Sequence, residues 1–563
     1  MDEEVRQILK QYALQNAVKH KSVPRAGAVV GAFLGANPEL RSRAKELNAI
    51  IGSVLADVEA LTPEEREEEL IRSAPDLATS MHQKRERSTE LPPLPDAEGG
   101  VVMRFAPNPS GPLHLGHARA SILNDAYVRR YGGKYIYRIE DTDPKRVDPD
   151  AYQMVREDLE WLGIAISDIV YQSDRLDIYY DYARQLIGLG GGYVCTCEAE
   201  RFRELKLARK ACPCRDLTVL EHLARWEQML DGTFIEGQAT VRVRTEIDHP
   251  DPAIRDFPAM RIVNSTIHPR VDATVYPLMN FSVAIDDHLL GMTHVIRGKD
   301  HIANTRRQRY IFDYFGWKAP HYLHYGRMSI EGLVLSTSSM HQGIAEGIYS
   351  GWDDIRLGTL RAMARRGILP EAVRAAVTEI GIGETDISFS WENLFAKNRD
   401  LIDKGSDRYF FIPDPVSVIV DGAPDQIAHA PRYPGDEERG YRSLHFIQEI
   451  FIPAKEMTGN EMTGNEMIRL KDLFNIRVTG EHQAVYAGDS LADARSAKAP
   501  IIQWLPSDNA VPCHILTPDG VIRGYCEAEV AGYAGKTIQF ERIGFVRIDS
   551  VKEGLVTAYF THR

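Results

Sequence analysis

The sequence predicts a multidomain chain built around a doubly wound parallel α/β sheet of Rossmann-like type, with a helical N-terminal extension, a later helical segment and all-β C-terminal barrels. Three observations support this fold class. A strand–helix–strand pattern runs from Val101 to Ile139, and strands and helices alternate again from Thr274 to about Tyr325. Apolar residues at helical spacing dominate residues 1–90, whereas β-branched and aromatic runs separated by turn signals follow Arg408. A length of 563 residues agrees with several domains.

Composition and charge exclude several classes of protein. Apolar residues make up 44% of the chain and charged residues 26%, which excludes disordered, collagen-like and disulfide-scaffold chains. The apolar run 26–36 is shorter than the roughly 20 residues of a membrane span, and no clear signal cleavage site follows it. Six cysteines in so long a chain indicate a reducing, cytoplasmic location without a membrane anchor. The net charge of −13 means that any nucleic-acid contact must rest on local basic patches.

The order of these patterns predicts the domain boundaries. Residues 1–97 form a helical extension and linker, with a helix starting at Thr62-Pro63 and a proline-rich linker at Leu91–Pro95. This extension is either a solvated helical surface or an accessory module for a protein partner. The segments that follow are the first half of the α/β domain, a cysteine-containing insertion, the second half of the α/β domain, a helical segment and a β-barrel region, at 98–194, 195–262, 263–335, 336–405 and 406–563.

The strongest local motif is Arg104-Phe-Ala-Pro-Asn-Pro-Ser-Gly-Pro-Leu-His-Leu-Gly-His117, where a strand ends and a helix begins. The free backbone N–H groups and the helix dipole at such a junction favour a phosphate. His114 and His117 are three residues apart and share a helix face, so both can donate to a polyphosphate. Gly116 has no side chain, which would let a flat base or ribose lie against the backbone. Metal ligation and simple helix capping are alternative explanations of the His-x-x-His pair.

This stretch resembles the H-I-G-H signature of class I aminoacyl-tRNA synthetases. Together with Arg138–Arg146 it is similar to the glutamyl/glutaminyl subgroup in its archaeal and eukaryotic form. Three further segments match the subgroup in the same order, at 286–301, 349–354 and 401–403. The resemblance covers roughly residues 100–560. It implies a catalytic Rossmann-like domain, an insertion that handles the acceptor end of tRNA, a helical segment that contacts the tRNA stem and barrels that bind the anticodon.

The resemblance implies ATP-dependent activation of glutamate to glutamyl-adenylate, followed by transfer to the 3′-terminal adenosine of tRNA(Glu). ATP and Mg²⁺ are the expected co-substrates, and tRNA(Gln) is a second candidate acceptor. Two alternatives stay open on the sequence alone: a glutaminyl-tRNA synthetase, which shares the fold and most motifs, and a non-catalytic tRNA-binding homologue.

The family likeness assigns the amino-acid pocket to Arg104, Ala106, Asn108, Glu140, Met279 and Arg297. Arg104 suits the side-chain carboxylate of glutamate because a guanidinium binds carboxylates bidentately. Glu140 is the candidate acceptor for the α-ammonium group. Met279 stands where relatives often have tyrosine, so an apolar wall remains but a hydroxyl is lost. A surface ion-pair network is the alternative explanation for Glu140 and its charged neighbours.

The likeness also assigns ATP binding to Pro107, His114, Gly116, His117 and Leu335, and catalysis to His114, His117, Ser336 and Ser338. The second class signature, usually L-S-T-S-K in the archaeal glutamyl form, reads Leu335-Ser-Thr-Ser-Ser339 here. The lysine expected at Ser339 normally neutralises the leaving pyrophosphate. Arg327, His341, a lysine elsewhere or Mg²⁺ are the candidates to replace its charge.

Two cysteine pairs in the insertion form a C-x-C…C-x-C set, Cys195 with Cys197 and Cys212 with Cys214. Four thiolates can complete a tetrahedral Zn²⁺ site, so a structural zinc is predicted. The insertion is also where some relatives carry zinc. Four free thiols, or the remnant of a lost site, are the alternatives.

Overall fold

The computed structural model describes residues 3–20, 22–36, 44–82, 90–333, 335–456, 467–480 and 482–563. The chain divides into two compact units, Met1–Ser88 and Thr89–Arg563. This division comes earlier than residue 97, where the sequence analysis ends the linker. The reason is that Leu91, Leu94 and Ala97 are buried in the core of the second unit. The proline-rich segment is therefore packed structure rather than a free connector.

The first unit is helical in its described residues. Its helices are α1 (Glu3–His20), α2 (Ala26–Ala36), α3 (Ala44–Glu59), α4 (Pro63–Ser73) and α5 (Pro75–His82). The predicted start of α4 is confirmed: Thr62 accepts the Glu65 amide, the Glu65 carboxylate accepts the Thr62 amide, and Pro63 occupies the first helical position. Leu9, Phe33 and other apolar side chains form a separate core. None of the helices in the described part of the chain is long and apolar enough to cross a membrane.

The second unit opens with the predicted parallel α/β pattern. Its first elements are β1 (Val101–Phe105), α6 (Leu115–Tyr131), β2 (Gly133–Ile139), α7 (Ala151–Trp161), β3 (Asp168–Tyr171) and α8 (Leu176–Gly188). β2 pairs in parallel with β1 on one side and with β3 on the other. Both crossovers contain a helix, as parallel strands require.

The insertion interrupts this pattern with an antiparallel sheet. Its elements are β4 (Gly192–Cys195), α9 (Ala199–Leu207), α10 (Val219–Leu230), β5 (Thr240–Val243), β6 (Phe257–Ile262) and β7 (Val275–Pro277). The four strands pair in chain order. Trp226 of α10 and Phe281, which follows β7, lie in one apolar core beneath the sheet.

The parallel pattern then resumes with α11 (Met279–Leu289), β8 (His294–Gly298), α12 (Ile302–Phe315) and β9 (His321–Tyr325). β8 and β9 are parallel. The Thr293 amide donates to the Val102 carbonyl at 3.0 Å, and the Val102 amide donates to the Thr293 hydroxyl at 2.9 Å. These bonds place β8 beside β1, so the strand order is β3-β2-β1-β8-β9. The topology reverses between β1 and β8, which is where ligands bind in doubly wound sheets.

The helical segment contains β10 (Met328–Ser329), α13 (Thr337–Ala345), α14 (Leu360–Arg366), α15 (Pro370–Ile380), β11 (Ile387–Ser388) and α16 (Trp391–Ile402). The residues at the start of α14 contact the His-x-x-His motif. The Leu360 amide donates to the Leu113 carbonyl at 2.9 Å, and the Leu115 amide donates to the Gly358 carbonyl at 3.2 Å. Backbone hydrogen bonds to the segment at the start of α14 therefore hold the residues on either side of His114.

The remaining chain forms two seven-stranded, barrel-like sheets and a hairpin, as predicted. Its strands are β12 (Arg408–Tyr409), β13 (Phe411–Pro413), β14 (Pro415–Asp421), β15 (Ile427–Pro431), β16 (Tyr441–His445), β17 (Glu449–Pro453), β18 (Met467–Leu470), β19 (Asn475–Gly480), β20 (Gln483–Tyr486), β21 (Ile501–Ile502), β22 (Leu505–Pro506), β23 (Ala510–Thr517), β24 (Gly520–Glu527), β25 (Thr537–Phe540), β26 (Gly544–Lys552) and β27 (Leu555–His562).

Two features of this region go beyond the prediction. One short helix, α17 (Leu491–Ser496), interrupts the strands. Each large sheet has its own apolar core, one around Trp504 and the other around Phe540. The tandem Met-Thr-Gly-Asn-Glu repeat at 457–466, interpreted from the sequence as a loop expansion, lies outside the described residues.

Candidate active site

Two adjoining cavities open where β1, β2 and β8 end. The small cavity has a volume of about 320 Å³ and the large cavity about 920 Å³. Pro107, Asn108 and His117 line both. All six residues predicted for the amino-acid pocket line the small cavity, namely Arg104, Ala106, Asn108, Glu140, Met279 and Arg297. The large cavity is lined by His114, Ser336 and Ser338 among others. The structure thus gathers residues that lie more than two hundred positions apart in the chain.

The two histidines stack at the start of α6. Their ring centroids are 3.7 Å apart and the planes are inclined by 23°. His114 is the N-cap residue, and its Nδ1 accepts the Gly116 amide at 3.0 Å. The Nδ1 of His117 accepts the His114 amide at 3.4 Å. Because each Nδ1 is an acceptor, the proton of each neutral ring must lie on Nε2. Capping and a phosphate-donor role are therefore compatible in the same side chains.

Burial keeps both rings neutral. It lowers the pKa of His114 to about 4. The pKa of His117 lies well below its ordinary value, first because the ring is buried and second because His114 is its neighbour. At neutral pH the pair therefore offers two Nε2–H donors and no charge.

Gly116 differs from the expectation. A Cβ placed there would lie 2.8 Å from Cε1 of His114, so the imidazole itself covers the face that was expected to be open to a base or ribose. Glycine is needed here because the histidine folds back over the helix start. Gly116 does not line either cavity, and neither does Leu335.

Arg104 and Glu140, which line the small cavity, belong to a network of buried ions behind it. Nη1 of Arg138 donates to Asp287 Oδ1 at 2.7 Å, and Nη2 donates to Glu140 Oε1 at 3.0 Å. Arg104 Nε lies 3.4 Å from the same oxygen of Asp287. Burial opposes the ionisation of Asp287, but the guanidiniums of Arg104 and Arg138 outweigh it and hold its pKa below the ordinary value. The surface ion-pair explanation of this cluster is wrong, since Arg138 and Asp287 are at most 1% exposed.

Arg297 approaches the same cavity with unused binding capacity. One terminal nitrogen donates to Thr305 at 2.6 Å and to Gln308 at 2.9 Å. Its Nε is buried, and among the described residues it has no hydrogen-bond partner. Burial and, secondarily, the positive charge of Arg104 lower the pKa of Arg297 to about 10. An anion bound in the cavity would give Nε a hydrogen-bond partner and would offset the cost of burying this positive charge beside Arg104.

The signature loop begins the short helix α13. Ser336 is its N-cap residue, and the Ser336 hydroxyl accepts the Ser339 amide at 3.3 Å. Ser336, Thr337, Ser338 and His341 all line the large cavity. Of the residues considered as substitutes for the missing lysine, His341 lines this cavity and Arg327 does not.

The four clustered cysteines fit a tetrahedral metal. Their sulfur atoms all lie within 4.8 Å of one another. Cys195 is 3.9 Å from Cys212, and Cys197 is 3.7 Å from Cys214. Zn–S bonds of about 2.3 Å in a tetrahedron separate sulfurs by about 3.8 Å. These four thiols are free rather than paired in disulfides.

Sequence reasoning missed several residues of the site. Asp287 carries the ion network, and Thr305 and Gln308 hold Arg297, although only Asp287 lay within a quoted family motif. Lys145 and Arg146 line the large cavity. The motif that includes them was recognised, but nothing in the sequence places its end beside the histidines.

Comparison with known proteins agrees with this arrangement. The catalytic-domain model of tRNA synthetases class I (E and Q) matches residues 100–404, and two anticodon-binding domain models of the same group match residues 406–490 and 501–549. A glutamate–tRNA ligase of Methanocorpusculum labreanum is 64% identical over 100% of both chains. Ligases of the same name from Methanoculleus marisnigri and Methanospirillum hungatei are 63% and 60% identical, again over 100% of both chains.

Proposed function

We propose, from the premise that the chain belongs to the E and Q family of class I tRNA synthetases, that it is a glutamate–tRNA ligase. The observation that carries glutamate is the charge of the small cavity. Arg104, Arg297 and Glu140 line the cavity, and Arg138 and Asp287 lie behind them in ion pairs with Arg104 and Glu140, so three guanidiniums stand against two carboxylates. One positive charge is left over. Glutamate, with two carboxylates and one ammonium, neutralises that charge, whereas glutamine does not.

Within the small cavity, Arg104 and Arg297 would bind the side-chain carboxylate and Glu140 the α-ammonium. The buried Asp287 would act as a positioning residue, because it holds Arg104 and Arg138 in place. Met279 and Ala106 supply apolar contacts for the methylenes. Since protein groups hold these charges in place, the substrate would meet a preorganised site.

MgATP would occupy the large cavity as the second substrate. An oxygen of the glutamate α-carboxylate attacks the α-phosphorus, the bond from this phosphorus to the bridging oxygen breaks, and magnesium pyrophosphate leaves. The Nε2–H groups of His114 and His117 donate to phosphate oxygens as their charge grows. Ser336 and Ser338 supply hydroxyl donors from the other segment lining the cavity. No side chain needs to become covalently bonded.

In the second step the 2′-hydroxyl of the terminal adenosine attacks the activated carbonyl, and AMP leaves. tRNA(Glu) is the proposed acceptor, bound by the insertion and by the β-rich region that matches the anticodon-binding models. We extend the proposal to tRNA(Gln), to be tested by charging both purified tRNAs with labelled glutamate. Equal absence of charging on both would contradict the function itself.

The deciding experiment is ATP–pyrophosphate exchange in the presence of saturating tRNA(Glu). Glutamate should support exchange, and glutamine at the same concentration should not. Exchange with glutamine alone would favour the glutaminyl alternative. Absence of exchange with either amino acid would favour the non-catalytic homologue, for which the missing loop lysine is the supporting observation.

We also propose that Cys195, Cys197, Cys212 and Cys214 hold a structural Zn²⁺, since the sulfur separations match a tetrahedral site. Bound zinc would hold together the two cysteine pairs on either side of α9 in the insertion. Metal analysis of the purified protein should give about one zinc per chain, and Cys212→Ser should lose it. Cys513→Ser, at a buried cysteine of the β-rich region, is the matched control and should retain the metal. Zinc retained in both variants would contradict the assignment.

The first unit is proposed as an accessory module for a protein partner, because it has its own core and exposes Val23 and Ile71 by more than half. Removing residues 1–88 should then leave aminoacylation intact.

A tRNA substrate and free cysteines support a cytoplasmic location.

A further inference from the structure

The large cavity has to accommodate a triphosphate without the lysine that family members usually carry in the signature loop. The corresponding residue is Ser339. Its amide donates to the hydroxyl of Ser336, the residue that caps α13, and Ser339 does not line the cavity. We propose that Arg146, which lines the same cavity, supplies the missing positive charge by binding the departing pyrophosphate. This inference rests on the ATP-dependent activation proposed above.

Besides the neutral rings of His114 and His117, three side chains of the cavity wall can carry positive charge: Lys145, Arg146 and His341. Lys145 is already engaged, because its Nζ lies 2.5 Å from Glu236 Oε1. That hydrogen bond is the main reason why the pKa of Glu236 falls to about 2, so the carboxylate stays ionised at neutral pH. His341 is an imidazole and carries at most a partial charge at neutral pH.

Arg146 differs from both because its backbone is hydrogen-bonded in a turn while its guanidinium has no ionic partner among the described residues. Its amide donates to the Asp143 carbonyl at 2.9 Å and closes the turn Pro144–Arg146. Its side chain is exposed and, within the described part of the chain, no carboxylate lies within 4.0 Å of its guanidinium. A guanidinium is permanently charged and binds two phosphate oxygens at once.

The charge of the cavity wall makes this arginine decisive. Two carboxylates, Asp148 and Asp150, line the cavity together with Lys145 and Arg146. Because Lys145 is already paired with Glu236, Arg146 is the cation left to offset these two carboxylates when the imidazoles are neutral. Without Arg146 the wall would carry one more uncompensated negative charge, and it would repel more strongly a polyanion whose charge shifts toward the leaving group.

The test measures ATP–pyrophosphate exchange for Arg146→Ala with saturating tRNA(Glu). We expect kcat to fall about 10- to 100-fold, the cost of losing one charged hydrogen bond to the leaving group. KM for glutamate should not change, and Arg146→Lys should recover part of the rate. Arg156→Ala is the matched control, since Arg156 is an exposed arginine paired with Glu160 on α7. Thermal unfolding of all variants should match the wild type.

A second variant separates charge from structure. Adding Ser339→Lys to Arg146→Ala returns a cation to the signature loop and should restore most of the lost rate. A wild-type kcat in Arg146→Ala would overturn the inference, as would a loss of rate that neither lysine variant recovers. Calorimetry with inorganic pyrophosphate gives an independent readout, with binding at least about tenfold weaker in Arg146→Ala. If the wild type lacks exchange but this binding difference persists, the proposed function fails while the phosphate site stands.

Discussion

The two cavities differ in how their charges are held. Behind the small cavity, Arg104 and Arg138 are both buried and both paired with the buried Asp287. In the large cavity Arg146 is exposed, and the polar groups come from the starts of helices and from loops. The first arrangement suits the selection of one small molecule by fixed charge, as proposed for glutamate. The second suits a flexible triphosphate that loses part of itself, as proposed for ATP.

This contrast predicts which kinetic constant a substitution in each cavity should change. Changes in the small cavity should alter the affinity for the amino acid. Changes in the large cavity should alter the rate of adenylate formation. His117 lines both cavities and should affect the chemical step most strongly, because its donor lies between the two proposed substrate sites.

The largest effect is expected for His117→Ala. Loss of a preorganised donor should reduce the rate of adenylate formation by about 100- to 1,000-fold. The dissociation constant for tRNA should change little, as the ring lies between the cavities. Single-turnover adenylate formation and filter binding of tRNA measure the two quantities. Equal losses in both would remove the histidine from the chemical step.

Arg104→Ala tests the small cavity. Charged hydrogen bonds contribute about 1.5–3 kcal/mol, so KM for glutamate should rise by about 10- to 100-fold. KM for ATP serves as the internal control and should stay within about twofold. Steady-state exchange kinetics give both values. An unchanged KM for glutamate would place the substrate carboxylate elsewhere.

Ser338→Ala tests the large cavity in the opposite sense. A neutral hydroxyl contributes about 0.5–1.5 kcal/mol, so kcat should fall by about 2- to 10-fold while KM for glutamate remains constant. If KM for glutamate rose instead, the two cavities would not act separately.

The smallest effect concerns stability and pH. The folded protein holds the pKa of His114 at about 4, below the ordinary 6.5, because the ring is buried. The unfolded chain therefore binds this proton more readily, and stability is lost as the pH falls from 6.5 toward 4. Urea unfolding at about pH 7 and about pH 5 should show a smaller drop for His114→Gln than for the wild type. Identical pH dependence would show that the ring is not kept neutral by folding.

Local sequence was sufficient for the elements that local physics controls. Thr62, Pro63 and Glu65 predict the start of α4 because a capping box involves only neighbouring residues. The strand–helix–strand pattern from Val101 to Ile139 is equally visible, since apolar periodicity follows from burial. The packed linker was missed because its burial depends on distant residues of the second unit. α17 was missed although Ser490 caps it locally, since six residues are too few for a clear helical periodicity.

The site shows the same division. From its residue types and family motifs, the sequence alone indicated a phosphate-binding helix start, an arginine-rich amino-acid pocket and four metal-binding thiols. Only the tertiary structure showed that Asp287 organises the arginines, that His114 covers Gly116 and that Arg146 lines the large cavity. The physical reason is that residue chemistry is local, whereas charge pairing and burial depend on which distant segments the fold brings within a few ångströms.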